Sequence, residues 1–142
     1  MDGSGTLNLS GSPMSVYWCA AGQGHFLLPS CADCNSRFLP PGMYCPNCGS
    51  ASLGWYESNG KGNVYSFTVI EQTTDPRTFG QVPYVIALAN LEDLNDGSRF
   101  FGRLIDVNHE QIRVGDPVRV ALRDIYGTGL LPVLTSLIGD GL

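Results

Sequence analysis

Histidine is nearly absent from this 142-residue chain; His25 and His109 are the only two. Charge is sparse too, at 15% of residues. No uninterrupted apolar run approaches the roughly 20 residues that a membrane-spanning helix needs. No Gly-x-Ser-x-Gly elbow, phosphate loop or His-Glu-x-x-His pair occurs, so the nucleophile, phosphate-cradling and zinc-protease designs those patterns build are missing. The carboxylates are scattered through turns, with no pair spaced for acid–base work. An independent enzyme is hard to build from this inventory, and no residue is named as catalytic. The net charge of −5 leaves no broad electrostatic footprint for nucleic acid or an anionic membrane. The opening Met1–Gly11 carries Asp2, no basic residue and no apolar core behind it, unlike a secretory signal. A cytoplasmic protein is expected.

What is present suits a folded β protein. Hydrophobic residues make up 43% of the chain, enough for a packed core. Eighteen Gly and nine Pro fit short strands joined by tight turns. The length allows one modest domain and a small metal-stapled module.

Residues 1–12 are rich in Gly and Ser and read as a flexible arm, either a frayed terminus or a segment that orders against a partner. Ser12-Pro13 reads as a helix start, with Ser12 as N-cap and Pro13 at the first helical position. Gly22 or Gly24 would end that helix, which is too short to stand alone and must dock its aromatic face. His25–Leu28 reads as a short strand. From Trp55 through Gly62 the chain reads as a connector, with Ser58-Asn59-Gly60-Lys61-Gly62 as its turn.

Beyond Gly62 everything reads as strands: 64–70, 84–91, 99–106, 118–125 and 131–138. Pro83 introduces the second, and Asn95-Asp96-Gly97 turns the chain before the third. Val118, Val120 and Leu122 alternate with Arg119, Ala121 and Arg123, the period of a half-buried strand. Five strands with Gly-rich corners suit a small closed barrel of the OB-fold type. The expected fold is mainly β: a short helix, a zinc ribbon, then a five-stranded OB-fold barrel. The expected domains are 13–56 for helix and ribbon and 57–142 for the barrel.

Cys31-Ala32-Asp33-Cys34 and Cys45-Pro46-Asn47-Cys48 form two Cys-x-x-Cys pairs with ten residues between them. Two such turns facing each other supply four soft ligands at tetrahedral corners. Gly49 suits the left-handed backbone that follows such a pair, and Asn35 tolerates the same conformation. Four thiolates fill every position around one Zn2+ ion, so the site is structural. Iron fits the same cage. Redox dithiols of the thioredoxin kind sit at a helix start, and Pro40-Pro41-Gly42 between the pairs breaks any helix.

Cys19 is the fifth cysteine. As a nucleophile it would need His25 or His109 as base; a buried small hydrophobe is the favoured reading. The barrel interleaves aromatics with Arg77, Arg99, Arg103, Arg119 and Arg123. Such groups can stack single-stranded nucleic acid on an OB-fold, which is the alternative function. Residues 60–142, however, hold seven basic and ten acidic side chains, a poor polyanion groove.

In this order the fragments form a specific pattern. They are Tyr17-Trp18, Cys31-x-x-Cys34, Cys45-Pro46-x-Cys48-Gly49-Ser50, Trp55, and Gly60-Lys61-Gly62-x-Val64-Tyr65-Ser66-Phe67-Thr68-Val69. Pro83-Tyr84-Val85 and Ile112-x-x-Gly115-Asp116-x-Val118-x-Val120 follow. The chain resembles, over about residues 17–138, a family that joins a rubredoxin-like zinc ribbon to an OB-fold in acyl-CoA metabolism. Asn35 departs from the family's usual Gly. The resemblance implies a non-catalytic subunit paired with a thiolase, a related condensing enzyme or a hot-dog-fold hydratase, covering or completing the CoA pocket. Among these it looks most like partners of thiolases that cleave 3-oxoacyl-CoA intermediates, such as benzoylsuccinyl-CoA in aromatic degradation. Arg77 and Phe79, between the first two barrel strands, are the candidate CoA or partner contacts.

Overall fold

The computed structural model describes residues 9–95 and 97–138. Residues 1–8 of the expected arm, and Asp96 of the expected turn, lie outside the described residues. Helix α1 (Pro13–Gly22) begins where the cap chemistry predicts: the Ser12 hydroxyl accepts a hydrogen bond from the Ser15 N–H at 3.2 Å, with Pro13 at the first helical position. Gly24 follows at φ 92° and turns the chain away.

Strands β1 (Leu27–Cys31) and β2 (Leu53–Glu57) pair antiparallel to form the ribbon's sheet. This corrects two expectations. The first strand starts two residues later than 25–28 and runs into the first cysteine. The segment expected as a connector from Trp55 is strand as far as Glu57. Trp55 and Tyr56 favour a strand but Gly54 weakens the local pattern; pairing with β1 completes β2.

Five further strands follow: β3 (Lys61–Ile70), β4 (Tyr84–Leu91), β5 (Phe100–Ile105), β6 (Pro117–Arg123) and β7 (Leu131–Ser136). They close into a barrel in the order β3-β4-β5-β7-β6. All neighbours are antiparallel except β5 and β7. Closure removes the exposed edges that an open sheet would present. Lys61–Asn63 pairs with β6 on one side and, from Gly62 onward, with β4 on the other. Gly62 is obligatory there, because a Cβ on it would stand 1.9 Å from the Asn90 carbonyl oxygen. The register slips between Val64 and Ser66; the bulge leaves both Tyr65 and Ser66 on the solvent side.

One apolar core serves the whole molecule. Tyr17 of α1, Phe26 and Leu28 join Val64, Val85, Phe100, Leu104 and Leu134 of the barrel. Phe26 meets Tyr17 at 6.2 Å and Phe100 at 5.6 Å, edge to face. The aromatic helix therefore docks on its own chain, as its length demands. Among the described residues, no helix is long and apolar enough to cross a membrane.

Candidate metal centre and adjoining surfaces

The two Cys-x-x-Cys segments fold into matching knuckles. The Asn35 N–H donates to the Cys31 carbonyl at 2.9 Å, and the Gly49 N–H to the Cys45 carbonyl at 2.8 Å. In each knuckle the first cysteine's N–H donates to the carbonyl five residues on, at Ser36 and Ser50, both at 2.9 Å. Asn35 at φ 63° and Gly49 at φ 79° supply the left-handed turn that lets each loop close. Asn at this place costs little, since its short polar side chain tolerates that region.

Facing knuckles bring all four sulfurs within 4.8 Å of one another. Cys31 and Cys48 stand 3.6 Å apart, as do Cys34 and Cys45. Tetrahedral bonds near 2.3 Å need sulfurs about 3.8 Å apart, so the cage matches one ion. Its chemistry asks for one as well. Hydrogen bonds from Asn47, then from Ser36, hold the Cys34 thiol down at about 6. Cys48 is pushed up to about 12; the Ser50 N–H lowers it, but Cys31, burial and the other thiols together outweigh that. Four thiolates this close repel one another, and a cation at the centre lets all four stay deprotonated. The Asn47 N–H donates to Cys45 Sγ at 3.4 Å and its side-chain amide to Cys34 Sγ at 3.5 Å. Such outer contacts orient the ligands. Cys31, Cys34, Cys45 and Cys48 are positioned to bind one metal ion and leave no open coordination corner for a substrate.

Cys19 is exposed, which overturns its reading as a buried hydrophobe. Helix α1 buries Val16, Tyr17, Ala20 and Ala21, and position 19 lies off that arc. Neither histidine is hydrogen-bonded to it among the described residues. His25 Nδ1 instead meets Glu57 Oε2 at 2.8 Å.

The loop that joins β3 to β4 carries Arg77 and Phe79. Asp75 caps a single 3-10 turn over Pro76–Thr78 and pairs with the Arg77 guanidinium at 2.6 Å. That guanidinium also lies 5.3 Å from the ring centre of Tyr126 in the β6–β7 loop. The two loops that OB-folds use for binding thus touch at Arg77. Phe79 is 59% exposed.

Further arginines stack on tyrosine rings. Arg37, Arg99 and Arg103 lie 4.1, 3.6 and 4.4 Å from the ring centres of Tyr56, Tyr65 and Tyr84. Interleaved Arg and Tyr were visible in the sequence; which pairs stack depended on register.

A four-cysteine rubredoxin-like ribbon fused through a common core to a five-stranded OB barrel defines a two-part class of protein. Residues 18–54 match the family model described as the ChsH2 rubredoxin-like zinc ribbon domain, and 55–123 match the ChsH2 C-terminal OB-fold domain. A DUF35 domain-containing scaffold protein of Methanothermobacter thermautotrophicus is 32% identical over 70% of this chain and 72% of its own. The chain belongs to this DUF35 family of zinc-ribbon and OB-fold proteins. A probable enoyl-CoA hydratase alpha subunit of Thermomonospora curvata is 34% identical over 73% of this chain. The match spans only 31% of that longer protein. Among solved structures, one described as the Ltp2-ChsH2(DUF35) aldolase superposes with a TM-score of 0.78. It is 28% identical and covers 92% of this chain and 99% of the matched one.

Proposed function

We propose that this protein is a non-catalytic accessory subunit of an acyl-CoA-processing enzyme, with a thiolase-type catalytic partner and a CoA substrate enclosed between them. The cysteine cage carries the reading. Its four ligands saturate the ion, so the metal builds shape and cannot activate a substrate. The relatives point the same way: two are described by an acyl-CoA enzyme or an aldolase complex, and others as scaffolds.

In this reading Arg77 and Phe79 form the part of the lid that meets CoA or the partner. CoA is long, flexible and polyanionic, and a lid that offers a guanidinium and an aromatic face can order it. Asp75 pins the guanidinium on one side, and the exposed Phe79 ring is free to stack. A 3-oxoacyl-CoA of aromatic degradation, such as benzoylsuccinyl-CoA, is the substrate class proposed for the complex, and the cytoplasm its location.

Titrating CoA into the assembled complex tests this. Arg77→Ala is expected to weaken CoA binding about tenfold, as loss of a charge-assisted contact should. An unchanged affinity removes Arg77 from the role. A complex whose catalytic subunit handles no acyl-CoA would sink the function itself.

A further inference from the structure

The accessory-subunit reading leaves open which surface meets the partner, and one trough answers that chemically. Its walls come from all three parts of the chain: Met14 and Trp18 of α1, Pro41 of the ribbon loop, and Arg99 and Phe101 at β5. Met14 is 43% exposed, Trp18 46% and Phe101 69%. Beyond Phe101 the apolar surface continues into a second hollow over Ile86 and Leu88 on the outer face of β4. Outward positions of a solvated strand are ordinarily polar.

Arg99 stands at the rim. Its guanidinium lies on the Tyr65 ring at 3.6 Å, and its Nε donates to Asn90 Oδ1 at 3.0 Å. Among the described residues no carboxylate comes within 4.0 Å of it; the two ion pairs found are elsewhere. The cation is thus held in place before any anion arrives, which raises the selectivity of a carboxylate contact.

We propose that this trough is the docking seat for a segment of the catalytic subunit, one that presents an apolar side chain to Trp18 and Phe101 and a carboxylate to Arg99. The inference rests on the accessory-subunit reading. Met14, Trp18 and Phe101 leave much of their apolar surface open to solvent, as a surface that a second protein covers does. Aromatic residues, Met and Arg are the side chains enriched at protein interfaces, with Trp and Arg the usual anchors. The ribbon wall lies between the two cysteine pairs, so the metal cage sets its position.

The test uses the full-length chain in its native complex. A photoreactive benzoylphenylalanine replaces Trp18, Phe101 or, as control, Arg123 on β6, which is separated from β5 by β7. Positions 18 and 101 should crosslink to one segment of the acyl-CoA enzyme, and position 123 should not. With the separately purified partner, Trp18→Ala and Arg99→Glu should each weaken binding about thirtyfold, with metal content unchanged and the chain still folded at the assay temperature. Wild-type affinity in both variants overturns the seat while leaving the accessory role intact. Crosslinks that join two copies of this chain, or that reach only bound acyl-CoA, overturn it as well. If no acyl-CoA enzyme accompanies the chain, the underlying reading falls and the seat falls with it.

Discussion

The Ser58 hydroxyl lies 2.8 and 2.9 Å from the two carboxylate oxygens of Asp93, a side chain in a residue only 6% exposed. The Asn59 N–H donates to the same carboxylate at 3.1 Å. Ser58 leaves the ribbon and Asp93 begins the β4–β5 turn, so the contact clamps one part of the molecule to the other. Arg37 adds a second clamp from the ribbon. Its Nε donates to the Asp93 carbonyl at 2.7 Å, and its backbone bonds with Asn95 in both directions, at 2.6 Å to the side chain and 3.1 Å from the N–H. Together with the shared core, these bonds tie the ribbon to the barrel.

Asp93→Ala should therefore destabilise the fold by about 1–3 kcal/mol, the cost of leaving buried donors without acceptors. Asp93→Asn, which keeps an acceptor oxygen, should lose less. Chemical denaturation of both variants checks the order, and metal content should stay at the wild-type level. Wild-type stability in Asp93→Ala would show that the carboxylate is not the clamp.

Freshly purified protein should hold one zinc per chain by elemental analysis. In that state one thiol of the five cysteines, Cys19, should react with an alkylating reagent. All five should react after chelation and unfolding. Two or more fast thiols in the metal-loaded protein would mean the cage is incomplete. Cys45→Ser, at a buried ligand position, should lose most of the metal and unfold the ribbon, because such sites contribute about 10–16 kcal/mol. Cys19→Ser should change neither property.

Gly62→Ala should cost about 3 kcal/mol or more, or prevent folding, because backbone atoms of β4 occupy the space a methyl needs. Gly54→Ala on β2 meets no atom within 4 Å and should be close to neutral. Thermal melts of the pair decide the matter; similar melting temperatures would contradict the closed-barrel register at Gly62.

Hydrogen bonds from Arg77, followed by its charge, hold the Asp75 carboxyl below its ordinary value of 3.8. A carboxyl depressed on folding stabilises fully above its unfolded value and loses that contribution as pH falls through the folded one. The β3–β4 loop should thus keep its cap at every pH above about 4 and loosen only in stronger acid. Because the pair is exposed, the effect on global stability should be small. An NMR titration of the Asp75 side chain checks the sign: a midpoint at or above the ordinary value would refute the pairing.

Much of this was legible beforehand because it depends on neighbours in sequence. Cys-x-x-Cys spacing names the ligands, since a single turn presents both sulfurs. Ser12-Pro13 starts the helix by satisfying its first donors locally. The alternation of Val118, Val120 and Leu122 with Arg119 and Arg123 marks β6, Pro83 and the 95–97 turn bound others, and β4 appears with the bounds expected for it. Where contacts between distant residues decide, local pattern was weak. At Leu53–Glu57 the local signal is no more than Trp55-Tyr56 beside Gly54, and pairing with β1 makes it a strand. The favoured reading buried Cys19 because cysteine usually is buried, yet the face of α1 that docks is chosen by Phe26 and the barrel, and Cys19 is not on it.

The amino-acid order alone therefore settled the metal cage, the β class and the left-handed turns at Asn35 and Gly49, all products of spacing and of backbone freedom within a few residues. Tertiary structure decided the Asp93 clamp, the arginine–tyrosine stacks and the trough between Trp18 and Phe101. Each of these is assembled from side chains tens of residues apart, and only barrel closure and strand register determine which of them meet.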